Sequence, residues 1–225
     1  MPGFILHMTA SQMLFNKYNI IDRNAFETGN LIPDSVSDKT WSHFRNPRRQ
    51  EKLMVYPDLD LFLAKYEHLL TDSSCLGYYF HLFIDRVYAK DYIPQIVTFY
   101  DKNGQEASNR ADITHAFIKR TKESVPIKAF FSDEYYYGDF TKLNTYLINR
   151  FQLTTDFNFT DAKNPGIEEV DYSDIASIQR QLAGYLDVPE NAVNELRVFD
   201  AEHLLSFLGN SVDEFIMFLL KSNKL

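Results

Sequence analysis

The stretch Gly77-Tyr-Tyr-Phe-His-Leu-Phe-Ile-Asp-Arg-Val-Tyr-Ala-Lys-Asp91 decides how the rest of the chain is read. If it is helical, Tyr78, Phe80, Leu82, Phe83, Ile84, Val87 and Tyr88 surround almost its whole circumference, and a helix apolar nearly all round is a buried one. Two polar residues interrupt that surface. His81 and Asp85 stand four apart, offset by about 40° on one face. A buried, unpaired carboxylate costs several kcal/mol, so Asp85 requires a cation, a cluster of donors or a metal ion. The pair aims one ring nitrogen and one carboxylate oxygen at a shared ion, or at each other through a hydrogen bond.

Working outward, residues 5–18 carry Leu6, Thr9, Ala10, Met13, Leu14 and Tyr18 at helical spacing, with Pro2 and Gly3 ahead of them and His7 in the first turn. A short helix from Arg23 to Thr28 is expected to close at Gly29-Asn30, both of which tolerate a left-handed cap. Pro33 then fixes a turn that presents Asp34, either as a helix N-cap or as a ligand held on a rigid loop. Residues 35–56 read as a long polar loop containing Trp41, His43 and Phe44 and a basic group, Arg45, Arg48, Arg49 and Lys52. That group suits an anion, phosphate above all.

Asp58 to Leu70 reads as an amphipathic helix after Pro57. The run from Tyr92 to Tyr100 ends at Asn103-Gly104, a possible hairpin turn with no evident pairing partner. Arg110–Thr121, Phe140–Phe151, Tyr172–Tyr185 and Asp200–Leu220 read as helices, with Asp139 as the N-cap of the second and a shorter turn of helix at Pro189–Val193. Pro165-Gly166 is the sharpest break. These assignments make the fold all-α: a single domain over residues 1–225, with residues 101–225 supplying additional helices.

The totals set limits. At 225 residues with 45% hydrophobic and 15% aromatic content, the chain has enough apolar surface for a sizeable core. Its net charge of −8 gives it no overall attraction for nucleic acid. With one cysteine, Cys75, neither an internal disulfide nor a thiolate zinc cluster is available. A metal site must therefore be built from imidazoles and carboxylates. The N-terminus lacks the charged and apolar regions of a secretory signal, and no window is expected to reach a membrane span, so the chain is expected to be cytoplasmic.

His7, Asp34, His43, His81 and Asp85 are a ligand set that zinc and similar divalent ions accept. In order along the chain, Met1-Pro-Gly-Phe-Ile-Leu-His7, Gly29-Asn-Leu-Ile-Pro-Asp34, Ser42-His-Phe44 and Gly77-Tyr-Tyr-Phe-His81-Leu-Phe-Ile-Asp85 resemble the N-terminal half of the zinc-dependent phospholipase C family. The resemblance covers roughly residues 1–100. It implies an all-α bundle of the phospholipase C and P1 nuclease type, with Asp34, His43 and His81 on one zinc, Asp85 bridging to a second, and His7 on that second ion. It further implies phosphodiester hydrolysis by activated water, with Asp34 as a candidate general base.

The chain departs from this pattern. Asp91 stands where the family has a histidine six residues past the bridging aspartate. No His-x-x-x-Glu pair follows, since His115 precedes Lys119 and His203 precedes Phe207 at that spacing. One or two ions are therefore expected instead of three. Asp91 or Asp139 are substitute ligands, and the metal is zinc or, with more oxygen ligands, manganese or iron. Two functions follow. One is a metal-dependent phosphoesterase for a small phosphorylated compound or lipid head group, with Arg45, Arg48 and Arg49 binding the anion. The other is a non-catalytic relative whose metal or hydrogen-bond network only ties segments together.

Overall fold

The computed structural model describes residues 3–36, 38–46, 48, 53, 55–154, 163–182 and 188–222, apart from the side chains of residues 176 and 179. Its core helix is α5 (Ser73–Val87). Asp72 caps it, accepting from Ser74 N and Cys75 N at 2.8 and 3.1 Å. Tyr78, Phe80, Leu82 and Ile84 are fully buried, as an all-round apolar helix requires.

The crossing of α5 by α2 (Arg23–Leu31) is set by two glycines. A Cβ on Gly29 would fall 1.8 Å from the Ser74 carbonyl oxygen, and one on Gly77 would fall 1.9 Å from that of Phe26. The two backbones touch, leaving no room for a side chain. Gly29 and Asn30 accordingly do not close α2, which continues to Leu31. The glycine serves close packing between helices, a use that cannot be told from a left-handed cap by residue type alone.

Helix α1 (Phe4–Phe15) packs against both, with Phe4 to Ser11 all buried. After it come α3 (Lys39–Ser42) and α4 (Leu59–Tyr66). The presence of α3, N-capped by Asp38 on Thr40 N, breaks up the expected loop of residues 35–56. Beyond Val87 the chain winds through one π-helical segment, Tyr88–Tyr92, into α6 (Ile93–Ile96).

A small antiparallel sheet corrects the all-α expectation. Strands β1 (Val97–Tyr100), β2 (His115–Ile118) and β3 (Glu123–Pro126) pair in that order, with Val97 opposite Ile118 and Ala116 opposite Val125. The helix expected over 110–121 is therefore a 3₁₀ turn, Arg110–Asp112, followed by β2. Ala116 and Ile118 are buried and His115 is exposed, a period of two; over only four residues it is indistinguishable from helical spacing. The Asn103-Gly104 turn does form, with Gly104 at φ 76°. It belongs to the connection between β1 and β2.

Helices α7 (Ile127–Phe130), α8 (Tyr136–Phe151), α9 (Ile175–Leu182) and α10 (Ala201–Ser222) complete the described elements, with a 3₁₀ segment at Glu190–Glu195. Because α8 begins at Tyr136, Asp139 lies in its first turn and is not its N-cap. Past Pro165-Gly166 the chain returns to the same core: Ile167 is buried, and the Tyr172 hydroxyl lies 2.6 Å from Ser74 Oγ. Against expectation, α10 is long and apolar enough to cross a membrane by length and composition. Its Leu204, Leu208, Val212 and Phe215 are fully buried against the protein core, the stripe of an amphipathic packed helix.

Candidate metal centre

Five side chains from four separate segments meet beside the α2–α5 crossing. His7 comes from the first turn of α1, His81 from the second half of α5 and Asp85 from its last turn. Asp34 ends the 3₁₀ turn Ile32–Asp34, where Pro33 stands in the first turn. The following helix, α3, is capped by Asp38 and not by Asp34, whose carboxylate faces His43 and Lys39. His43 terminates α3, and Phe44 after it adopts φ 48°, a left-handed conformation that costs a bulky residue about 1–2 kcal/mol. Packing offsets that cost: the Phe44 ring lies 5.2 Å from Phe62 and 6.3 Å from Tyr78, and Tyr78 donates to the Ser42 carbonyl at 2.5 Å. His43 is thereby fixed facing inward.

His7, His43, His81 and Asp85 are fully buried, and the Asp34 side chain is 5% exposed. His43 Nε2 lies 3.3 Å from Asp85 Oδ2, 3.4 Å from Asp34 Oδ1 and 3.1 Å from His81 Nε2. His81 Nε2 is 3.8 Å from Asp85 Oδ2, and His7 Nε2 is 3.4 Å from Asp85 Oδ1. The two oxygens of Asp85 thus face different histidines. The rings of His7 and His81 stack at 3.9 Å.

The tautomers sharpen the picture. His81 Nδ1 is 2.7 Å from the Asn30 carbonyl, which can only accept, so Nδ1 carries the proton and Nε2 presents a bare lone pair. Burial, with His7 alongside, pushes His81 down to about 3, keeping it neutral. Its lone pair points at His43 Nε2, and two lone pairs at 3.1 Å repel unless a proton or a cation lies between them. Burial alone would also depress His43, but Asp34 and Asp85 outweigh it and hold that imidazole above its ordinary value. Burial would raise both carboxylates, yet His43 above all keeps each below the usual carboxylate range.

These residues fit a divalent ion. Both Asp85 oxygens and both His7 nitrogens are buried without a hydrogen-bond partner, an expensive state for polar groups. Ligand atoms about 2.0–2.1 Å from one tetrahedral ion stand roughly 3.3 Å from each other. The observed separations of 3.1–3.8 Å bracket that value, and all but the 3.1 Å His43–His81 contact are too long for good hydrogen bonds. Two groupings, His7–Asp34–His81 and His43–His81–Asp85, each bring three ligand atoms within 4.8 Å of one another.

A second layer supports the histidines. Asn30 Nδ2 donates to the His7 carbonyl at 3.1 Å and to Ser11 Oγ at 2.8 Å, while its own carbonyl orients His81. Beside them is Glu27 on α2, almost completely buried. Burial pushes its carboxyl up to about 8, against the opposing pull of hydrogen bonds with Ser11 and Asn30. The folded chain therefore holds this proton more tightly than the unfolded chain, whose value is near 4.5. The resulting stabilisation is complete below pH 4.5 and is lost as the pH rises toward 8. His81, held neutral, has the opposite slope below about pH 6.5, so it is between about pH 6.5 and 8 that thermal unfolding is expected to show a melting temperature falling with pH, and Glu27→Gln is expected to reduce the decline. Parallel wild-type and variant profiles would assign the proton elsewhere.

The other expected site residues separate clearly. Asp91 is exposed on the π-helical segment, away from solvent-shielded partners. Asp139 is buried but committed: its oxygens accept from the backbone N–H groups of Arg197, Val198 and Phe199 at 2.7–3.1 Å, and Lys142 lies 3.4 Å away. That carboxylate holds the segment before α10 and is not among the residues brought together at the cluster. Arg48 is exposed, and Arg49 lies outside the described residues.

Arg45 reaches a cavity of about 400 Å³. Lys39 and Arg110 line it too, with Phe99, Phe131 and Tyr137 among its aromatic walls. Lys39 joins cavity to cluster, because its ammonium pairs with Asp34 Oδ1. Burial pulls Arg45 below its ordinary value; Arg110 adds to this by like-charge repulsion, and Asp85 and Asp34 oppose it. Lys39, Asn30, Glu27 and Arg110 were not singled out in the sequence. Only Asn30 carried a signal, and it read as a helix cap. No family model, curated protein or solved structure matches the chain.

Proposed function

We propose that the His7–Asp34–His43–His81–Asp85 cluster holds one or two divalent ions, and that the protein is a hydrolase of small phosphoesters. The observation that carries this reading is the pair of Asp85 oxygens, buried, unpartnered and each facing a different imidazole. When bound, such an ion supplies Lewis acidity to a phosphoryl oxygen and lowers the pKa of a water toward neutrality. Zinc suits the three imidazoles, and manganese or iron suits the two carboxylates.

The chain's own residues supply the remainder. His43 and His81 are locked in orientation by Ser42, 2.9 Å from His43 Nδ1, and by Asn30. Asp34 Oδ1 is engaged by Lys39, so service as a general base falls to Oδ2 or follows movement of Lys39. Arg45 and Lys39 give the cavity the positive charge a phosphate needs. Lys39 also competes with a metal for Asp34. Lys39→Met is therefore expected to tighten metal binding severalfold in competition with a chromophoric chelator, and unchanged affinity would place Lys39 outside the site's electrostatics.

A second reading has its own support. With a raised pKa, His43 as an imidazolium between Asp34 and Asp85 would tie the segments together without metal or catalysis. The test is elemental analysis of the purified chain, followed by phosphomonoester and phosphodiester substrates with added zinc or manganese. Metal together with turnover supports the hydrolase. Metal without turnover supports a structural centre, and no metal under any loading condition supports the imidazolium.

A further inference from the structure

The cavity beside the cluster combines two features that the chemistry of phosphoester hydrolysis alone does not require. Three cations from two distant parts of the sequence converge on it: Lys39 on α3, Arg45 just after it, and Arg110 from the 3₁₀ turn between β1 and β2. Its remaining walls are dominated by rings. Phe99 comes from β1, Phe130 and Phe131 lie at the end of α7, and Tyr136 and Tyr137 open α8. A site for inorganic phosphate, or for a phosphorylated polyol, needs hydrogen-bonding side chains in place of this aromatic wall. At about 400 Å³ the cavity lies in the roughly 300–1,000 Å³ range of small-ligand pockets.

Position links the cavity to the cluster through two contacts. Lys39 pairs with Asp34 while lining the cavity. The hydroxyl of Tyr136, another wall residue, lies 3.2 Å from that of Tyr88, one turn beyond Asp85. Phe131 and Tyr137 are 42% and 50% exposed, so the aromatic wall reaches solvent and a ligand can enter past it.

We infer that this cavity binds a small phosphate ester carrying a flat aromatic body, with Arg45 and Arg110 clamping the anionic group and the Phe131–Tyr137 wall stacking on the ring. The inference deepens the hydrolase reading and rests on it for the fate of the ligand, though not for its binding. Guanidinium groups suit the task because they pair with phosphate oxygens through two parallel N–H donors. Rings stack on aromatic walls in offset or edge-on arrangements, adding affinity beyond area burial. Arg110 is a binding residue that the basic group at 45–52 gave no reason to suspect.

The test uses ligands that cannot turn over, added to the purified full chain: phenylphosphonate, methylphosphonate and benzyl alcohol, titrated by calorimetry or ligand-observed NMR. Phenylphosphonate is expected to bind at least tenfold more tightly than either of the others. Arg110→Ala is expected to weaken it about tenfold, and Phe131→Ala to bring it close to methylphosphonate. Arg110 is exposed and on a short turn, so its replacement leaves the core intact. Equal affinity for phenyl- and methylphosphonate, or binding unaffected by Arg110→Ala, overturns the inference. A chain that takes up no metal but still binds phenylphosphonate in this pattern would retain the pocket and remove the hydrolase reading. A metal-loaded chain indifferent to the phenyl group would do the reverse.

Discussion

Asp85→Asn is expected to abolish high-affinity metal binding, lowering affinity at least a hundredfold, and to lower the melting temperature of the metal-loaded protein. Asn has nearly the shape of Asp, so packing in the last turn of α5 is preserved and only charge and ligand strength change. Losing a supporting partner behind a ligand already costs roughly 10–100-fold in metal affinity, and Asp85 would be the ligand itself. Its two oxygens lie 3.4 Å from His7 and 3.3 and 3.8 Å from His43 and His81. Metal affinity is folding free energy wherever the site is absent from the unfolded chain, so affinity and stability should fall together.

The dependence on metal separates the readings. Without a metal, Asp85→Asn still removes a partner of the His43 imidazolium and destabilises the fold, but the loss is then the same with and without chelator. A variant as stable as the wild type, or more so, would mean that no cation depends on this carboxylate. Metal content by elemental analysis and thermal unfolding, with and without chelator, give both readouts on the same sample.

Gly77→Ala is expected to cost more than about 3 kcal/mol, above the ~1–3 kcal/mol of ordinary overpacking. The added carbon would meet the Phe26 carbonyl oxygen at 1.9 Å, and that atom is backbone, with no rotamer to move. Relief requires α2 and α5 to separate. That motion also draws the Asn30 carbonyl away from His81 Nδ1 and releases the imidazole from its tautomer. The variant should therefore lose stability in denaturant titration and, where it still folds, bind metal more weakly than the wild type. Full stability would show that the two helices do not touch as described. Gly29→Ala, at 1.8 Å from the Ser74 carbonyl, is expected to behave the same way.

How much of this was legible in the sequence depended on the range of the signal. The core helix was, because seven apolar residues around its circumference leave no other reading, and α1 and α10 followed from equally local periodicity. Of the five candidate ligands, His81 and Asp85 stood out on a buried helix and Asp34 on a rigid turn, whereas the ligand roles of His7 and His43 came from the resemblance. The sheet was not, because strands of four residues carry two apolar positions each, fewer than either period needs to declare itself. The role of Gly29 and Gly77 was hidden for a different reason: a glycine that admits a neighbouring helix looks, in one dimension, like a glycine that ends its own.

Asp139 shows the same limit from the other side. It read as a helix N-cap or a substitute ligand, but its partners lie 58–60 residues away in the backbone of Arg197 to Phe199. Long-range partners also define the cavity. Among the described residues, the basic group at 45–52 contributes Arg45 to it, whereas Lys39 and Arg110 are placed there by α3 and by the link between two strands.

Anomalous diffraction from crystals grown with zinc tests the central claim most directly. The account predicts a peak at the zinc edge within bonding reach of His43 Nε2, His81 Nε2 and a carboxylate oxygen of Asp34 or Asp85. If the second ion is present, another peak stands between Asp85 and His7. A map with zinc only at surface positions, and His43 lying directly between the two carboxylates, would contradict it.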